Sequence, residues 1–261
     1  LNAILDEQNN QGKEAIQMKI LAIESSNQTM SAAVCENGRL LAEVTTNGNL
    51  QHSTQLMPAV DHVMKLAGWK PADLECIAVA KGPGSYTGVR IGATIAKTLA
   101  WTLAIPLVPI SSLKVIAGNC EGAAHKLVPM IDARRGNCYT AVYQFEDNLL
   151  VERIADTHIA SEEWFQRLLA EEGTYLFVGE DVSKYRERIG ELFKERALFA
   201  GESQALPRAS VLATLSESAT AEDPHTFVPS YLKKPEAEEK WEQQHLSNRR
   251  EDYVERVDSS I

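Results

Sequence analysis

Lys81-Gly82-Pro83-Gly84-Ser85-Tyr86-Thr87-Gly88-Val89-Arg90-Ile91-Gly92 is the stretch from which the fold is read. Gly82 and Gly84 open backbone conformations closed to other residues. Pro83 stiffens the turn, and Ser85 or Thr87 stands where a helix N-cap is needed. Before the stretch, LECIAVAKG is a buried strand; from Tyr86 on, YTGVRIGATIAKTLAWTLA is a long helix. The whole is a strand-to-helix turn with N–H groups at a helix N-terminus, a potential anion site. Gly82, Gly84 and Ser85 are its candidate contacts. It is not a Walker A loop, because Thr87 and Val89 occupy the positions where a second glycine is required. Nor is it a dinucleotide GxGxxG followed by an acidic ribose reader.

Working outward, MKILAIES from Met18 is a buried strand and TMSAAVCE a second. Asn37-Gly38 signals a type I′ hairpin into RLLAEVTT. Residues 51–67 carry Leu56, Val60, Val63, Met64 and Ala67 at helical spacing, closed by Gly68. After the glycine turn and its helix comes a short extended IPLVPI. The order then recurs: KLVPMIDA, GNCYTAVYQF and LLVERIADTHI as strands, SEEWFQRLLAEE as a helix with Ser161 as cap, TYLFVG as a strand, and a helix from Glu180. Two βββαβα copies, 18–110 and 126–200, predict a duplicated α/β fold, each half with three antiparallel strands and a parallel strand added by crossover. The expected halves are 18–110 and 111–235. Residues 1–17 read as an extension before a functional start at Met18. Residues 236–261 read as a charged tail, either solvated or a partner-docking helix anchored by Trp241, Tyr253 and Val254.

The 261 residues are 44% apolar and 24% charged, which is ordinary for a globular chain. No stretch approaches the ~20 apolar residues that span a bilayer; the best candidate, 89–105, carries Arg90 and Lys97. The N-terminus has no basic segment leading into an apolar one, so the expected location is the cytoplasm, with no membrane partner. A net charge of −10 excludes a strong nucleic-acid grip by this chain alone. The four cysteines, Cys35, Cys76, Cys120 and Cys138, are widely spaced and read as buried free thiols. None of the six histidines forms HxxxH or HExxH, the spacings that aim two imidazoles at one ion, so no metal site is expected.

Gly88, Gly92, Ala96 and Ala100 repeat every four residues and lay small side chains on one helical face. That face suits either the chain's own sheet or a partner helix. In the second reading Leu56, Val60 and Met64 of the neighbouring helix join the interface. At the second strand turn, Asp132-Ala133-Arg134-Arg135-Gly136 keeps an Asp and a Gly, so Asp132 and Arg134 are candidates for a residual anion or nucleotide contact; a purely structural turn is the other reading.

The doubled βββαβα order is the plan of the actin / sugar-kinase / Hsp70 (ribonuclease H-like) type. The string GPGSYTGVRIG, after ILAIESS and a QHSTQLMP helix, closely resembles the TsaB (YeaZ) family. MIDARRGNCYTAVY and PSYLKKP extend the resemblance from Met18 to Pro235, loosely over 150–225. Glu24 stands where an Asp is usual and Lys233 where an Arg is common. The resemblance implies a non-catalytic scaffold subunit of the complex that places threonylcarbamoyl on the N6 of the tRNA adenosine 3′ to the anticodon. It implies no cofactor, pairing with a TsaD-type catalytic subunit, a TsaE-type ATPase reached through that pair, homodimers when alone, and only indirect contact with tRNA. Two alternatives share the fold. One is an ATP-dependent kinase or carbamoyl transferase with Asp132 as its carboxylate; the other is an M22-type metalloprotease, which the missing histidine pair opposes.

Overall fold

The computed structural model describes residues 18–48 and 51–233. The expected extension 1–17 and tail 236–261 lie outside the described residues. Three strands open the fold: β1 (Lys19–Glu24), β2 (Met30–Glu36) and β3 (Arg39–Thr46). Asn37 and Gly38 both have positive φ, as a type I′ turn between β2 and β3 requires. There follow α1 (His52–Leu66), β4 (Cys76–Ala80), α2 (Tyr86–Leu103) and β5 (Leu107–Ile110). After a short α3 (Ser112–Gly118) the plan repeats as β6 (Lys126–Asp132), β7 (Asn137–Glu146), β8 (Leu149–Ala160), α4 (Ser161–Leu169), β9 (Tyr175–Val178), α5 (Arg186–Phe193) and β10 (Ala197–Phe199). Two short helices follow, α6 (Glu202–Ala205) and α7 (Ala209–Ser216).

The two sheets have the same topology, β3-β2-β1-β4-β5 and β8-β7-β6-β9-β10. In each, the first three strands pair antiparallel and the last two join in parallel. This is the expected duplicated α/β fold.

Strand alternation gives each sheet two apolar faces. Leu21 and Ile23 of β1, with Ile77 and Val79 of β4, meet Leu56, Val60, Ala96 and Ala100 from α1 and α2. Ile20, Ala22, Cys76 and Ala78 point the other way and are covered by Ala209, Leu212 and Ala213 of α7. The second sheet is arranged likewise. Val128 and Met130 meet Trp164 and Phe165 of α4 and Ile189 of α5, while Leu127 and Ile131 meet Leu113, Ile116 and Ala117 of α3. The helices exchange sheets: α3 follows the first sheet in sequence but covers the second, and α7 follows the second but covers the first. They pass so closely that a Cβ on Gly118 would lie 2.6 Å from Val211 Cγ1. The N-terminus of α7 is held by the first sheet. The Ala209 N–H donates to Ser31 Oγ at 3.0 Å and the Ser210 N–H to Glu43 Oε1 at 2.9 Å, and Arg208 pairs with the same glutamate.

Two local expectations are corrected. Ser161 does not cap α4; it is the first helical residue, and its hydroxyl donates to the Gly136 carbonyl at 3.0 Å. The helix expected from Glu180 is a 3₁₀ turn, Glu180–Lys184, followed by α5. All four cysteines are buried free thiols, pushed up by burial to about 11 or 12.

Candidate functional site between the lobes

A cleft of about 960 Å³ lies between the two sheets. The β4–α2 turn, the β1–β2 turn and the start of α1 form one wall. The β6–β7 turn, with Asp132 and Arg134, and Asp181 form the other. Gly84, Ser85, Asp132 and Arg134, proposed from sequence as anion contacts, thus come together. Gly82 is buried beneath, where a Cβ would lie 2.7 Å from the Ser230 carbonyl.

The groups in this cleft are occupied with one another. Ser85 Oγ accepts from the Gly88 N–H at 3.4 Å, so the serine caps α2 as expected. The Ser85 N–H donates to the Ser26 carbonyl at 2.7 Å, and the Val89 N–H to the Ser85 carbonyl at 2.9 Å. Donors that a phosphate would need are therefore taken at three positions of the turn. Cβ atoms at Gly84 and Gly88 would fall inside the van der Waals shells of the Ser26 and Ser25 carbonyls. These glycines let α2 lie directly on the end of β1, a close approach of backbone to backbone.

Asp132 is similarly engaged. Its Oδ2 accepts from Lys184 at 2.7 Å and its Oδ1 from the Arg134 N–H at 2.8 Å, while its own N–H donates to Asp181 Oδ2 at 2.8 Å. Burial pushes the Asp132 carboxyl up, but the Lys184 and Arg134 hydrogen bonds and the Lys184 charge outweigh it and hold the group below the usual carboxylate range. A carboxylate so held is a poor general base at neutral pH. His52, at the start of α1, bonds through Nε2 to the Asn27 carbonyl at 2.8 Å. Among the described residues no group of three or more His, Cys, Asp or Glu is placed to hold a metal ion.

Of the two readings given for the residues proposed as a partner interface, the structure shows packing against the chain's own sheet. Gly88, Gly92, Ala96 and Ala100 are all buried on α2, with Gly92 against Ser25 Oγ. Leu56, Val60 and Met64 are buried in the core under α1. All seven face the chain's own sheet, so none is available to a partner. The opposite side of the helix pair is open. Met57 is 45% exposed, Tyr86 51% and Trp101 65%. Between α1 and α2 this side forms a second groove, of about 550 Å³, lined by Met57, Tyr86, Arg90, Ile91 and Ile95.

Glu24, noted from sequence only as standing where an Asp is usual, is a further group in this region. It is fully buried at the end of β1, and burial raises its carboxyl from 4.5 to about 7. Oε1 accepts from the Ser26 N–H and hydroxyl, both at 2.6 Å, while Oε2 has no partner. The signal in the sequence is an acidic residue at the end of an otherwise apolar strand.

Two equivalent five-stranded lobes facing each other across a cleft define a protein of the actin / sugar-kinase / Hsp70 type. The family model for TsaD, tRNA N6-adenosine threonylcarbamoyltransferase, matches residues 39–241. The Bacillus subtilis tRNA threonylcarbamoyladenosine biosynthesis protein TsaB is 41% identical over 86% of this chain and 98% of its own length. The Escherichia coli TsaB is 33% identical over 50% of this chain and 57% of its own. A Pseudomonas aeruginosa crystal structure, described as similar to the peptidase YeaZ, superposes with a TM-score of 0.69 at 24% identity, covering 83% of this chain and 100% of that one. The chain belongs to the TsaB (YeaZ) family. No helix among the described residues is long and apolar enough to cross a membrane.

Proposed function

We propose that the chain is a non-catalytic subunit in the biosynthesis of tRNA threonylcarbamoyladenosine, pairing with and supporting a TsaD-type catalytic subunit. The observation that carries this reading is the open groove between α1 and α2, where Met57 and Tyr86 stand exposed, with Trp101 exposed farther along α2. Large apolar side chains gathered on one face mark an interaction surface. The TsaD family model covers all of α1 and α2, so a TsaD-type subunit offers a related helix pair. Two such pairs can meet about a quasi-two-fold axis, and the same geometry allows a homodimer when the partner is absent. An ATPase of the TsaE type joins through that pair, and tRNA is reached indirectly, in keeping with the net charge of −10. The engaged state of Asp132 and of the glycine turn supports a role without chemistry of its own.

Light scattering of the chain alone, and mixed with the TsaD-type protein of the same organism, tests the proposal. The expected result is a 1:1 heterodimer. Met57→Arg, at an exposed position, weakens it about 30-fold or more, as loss of an interface hot spot does. A chain that ignores its partner, or lone-chain ATP turnover abolished by Asp132→Ala, overturns it.

A further inference from the structure

We infer that Tyr231, on the strap 225–231, is a positioning residue for the partner surface: it holds the Tyr86 ring of α2 in the orientation that a partner meets. The inference rests on the reading above that the groove between α1 and α2 receives a partner. It goes beyond that reading by naming a residue outside the groove that sets its affinity, and it gives the PSYLKKP string a role.

The strap runs along α2 in the reverse direction. His225 meets the Trp101 ring edge-on, 5.4 Å between centroids. The carbonyl of the buried Phe227 accepts from Lys97 Nζ at 2.8 Å, and the same ammonium stands 5.9 Å from the Phe227 ring centroid. The Tyr231 ring meets Tyr86 at 5.3 Å between centroids. Tyr86, Lys97 and Trp101 lie within about 60° of one another around the helix, so the three contacts fall on one side of it. From 86 to 101 the helix spans about 22 Å, and six residues of largely extended chain span about 20 Å. Two backbone bonds fix the strap between these contacts: the Phe227 N–H donates to the Asp223 carbonyl at 2.9 Å, and the Ser230 N–H to the Lys81 carbonyl at 2.7 Å.

Tyr86 is the wall shared by the two concave surfaces, lining both the cleft between the lobes and the groove between α1 and α2. Tyr231 lines the cleft and not the groove, so it backs Tyr86 from the cleft side and leaves the groove side open. Arg90 completes the clamp. Its guanidinium stands 5.0 Å from the Tyr86 ring centroid and donates to the Tyr86 hydroxyl. An exposed aromatic side chain without such support samples several staggered rotamers. Fixing one such side chain on association weakens binding by a factor of about 3–10. A ring already held by Tyr231 and Arg90 loses little further freedom when a partner arrives.

The test uses the full chain and the TsaD-type protein of the same organism, with affinity read by titration calorimetry. Tyr231→Ala is expected to weaken the heterodimer about 3- to 10-fold. Tyr231→Phe keeps the ring and should stay within about twofold of the unaltered chain. In a Tyr86→Ala background, Tyr231→Ala should change nothing further, because it acts through that ring alone. Equal weakening in both backgrounds overturns the inference, since Tyr231 then acts without Tyr86; so does undiminished affinity in Tyr231→Ala. A second readout needs no partner. In the lone chain, at a dilution where light scattering gives a monomer, the Hα–Hβ couplings of Tyr86 report its χ1 rotamer. They are expected to move from those of one rotamer to an average when Tyr231→Ala is made. A missing heterodimer with couplings that average tells against the proposed function alone. Couplings that stay fixed tell against the strap, whether or not the heterodimer forms.

Discussion

Glu24 shows at the scale of one residue what burial does to a charge. Below pH 4.5 its carboxyl is neutral in both the folded and the unfolded chain. Between 4.5 and about 7 the unfolded chain ionises while the folded one keeps its proton, so stability falls as pH rises, and above about 7 the loss is complete. For a fully buried group this amounts to on the order of 3 kcal/mol. Glu24→Gln is expected to remove this component. The difference in urea midpoint between the two chains, followed from pH 4 to 8, should change steadily through that window, and parallel profiles would contradict the assignment. Gly88 makes a steric prediction instead. Gly88→Ala drives a methyl into the Ser25 carbonyl and should cost on the order of 3 kcal/mol, read as a lower denaturation midpoint. The four-residue spacing of Gly88, Gly92, Ala96 and Ala100 made the small face legible in the sequence. It said that something comes close, not what: at Gly88 and Gly92 it is the exit of β1, at Ser25.

Among the elements, those with a clear period were legible and those without were not. The strands of both halves alternate or run apolar, and α1 and α2 carry one buried stripe, so their positions follow from pattern. α3 reads SLKVIAG and α7 ASVLATLS, seven and eight residues with little polar face. Helices this short that lie between two sheets are apolar nearly all round, and periodicity cannot mark them. The same limit explains the misplaced interface. The hydrophobic stripe of an amphipathic helix points to the core by default, so Leu56, Val60 and Met64 were always the inward residues. The outward Met57 and Trp101 were the ones left without a local explanation. As for the cleft, Gly84, Ser85, Asp132 and Arg134, each singled out in its own turn, all line it. Sequence could not show that Lys184, fifty-two residues beyond Asp132, would hold that carboxylate.

In the whole molecule the two lobes are joined by exchanged helices and by a small polar bridge. Ser111 Oγ donates to Asp156 Oδ2 at 2.6 Å, and the buried Tyr143 hydroxyl donates to the same carboxylate at 2.8 Å. At the other crossing, Glu43 of β3 holds the first turn of α7 through Ser210 and Arg208. Glu43→Ala leaves the Ser210 N–H without that acceptor and should cost about 1–3 kcal/mol. Hydrogen exchange should then quicken in α7 more than in α4 or α5; equal quickening everywhere would mean that α7 is not a separable latch. The exchange of helices also has a consequence for how the chain is made. The face of the first sheet formed by Ile20, Ala22, Cys76 and Ala78 is complete once β5 has left the ribosome, yet its cover, α7, ends more than a hundred residues later. At about 5–20 residues per second that face waits roughly 5–20 s, bare, during synthesis. The nascent first lobe is therefore a natural client for a chaperone, and a ribosome stalled between β5 and α7 would present an adhesive sheet rather than half of a finished protein.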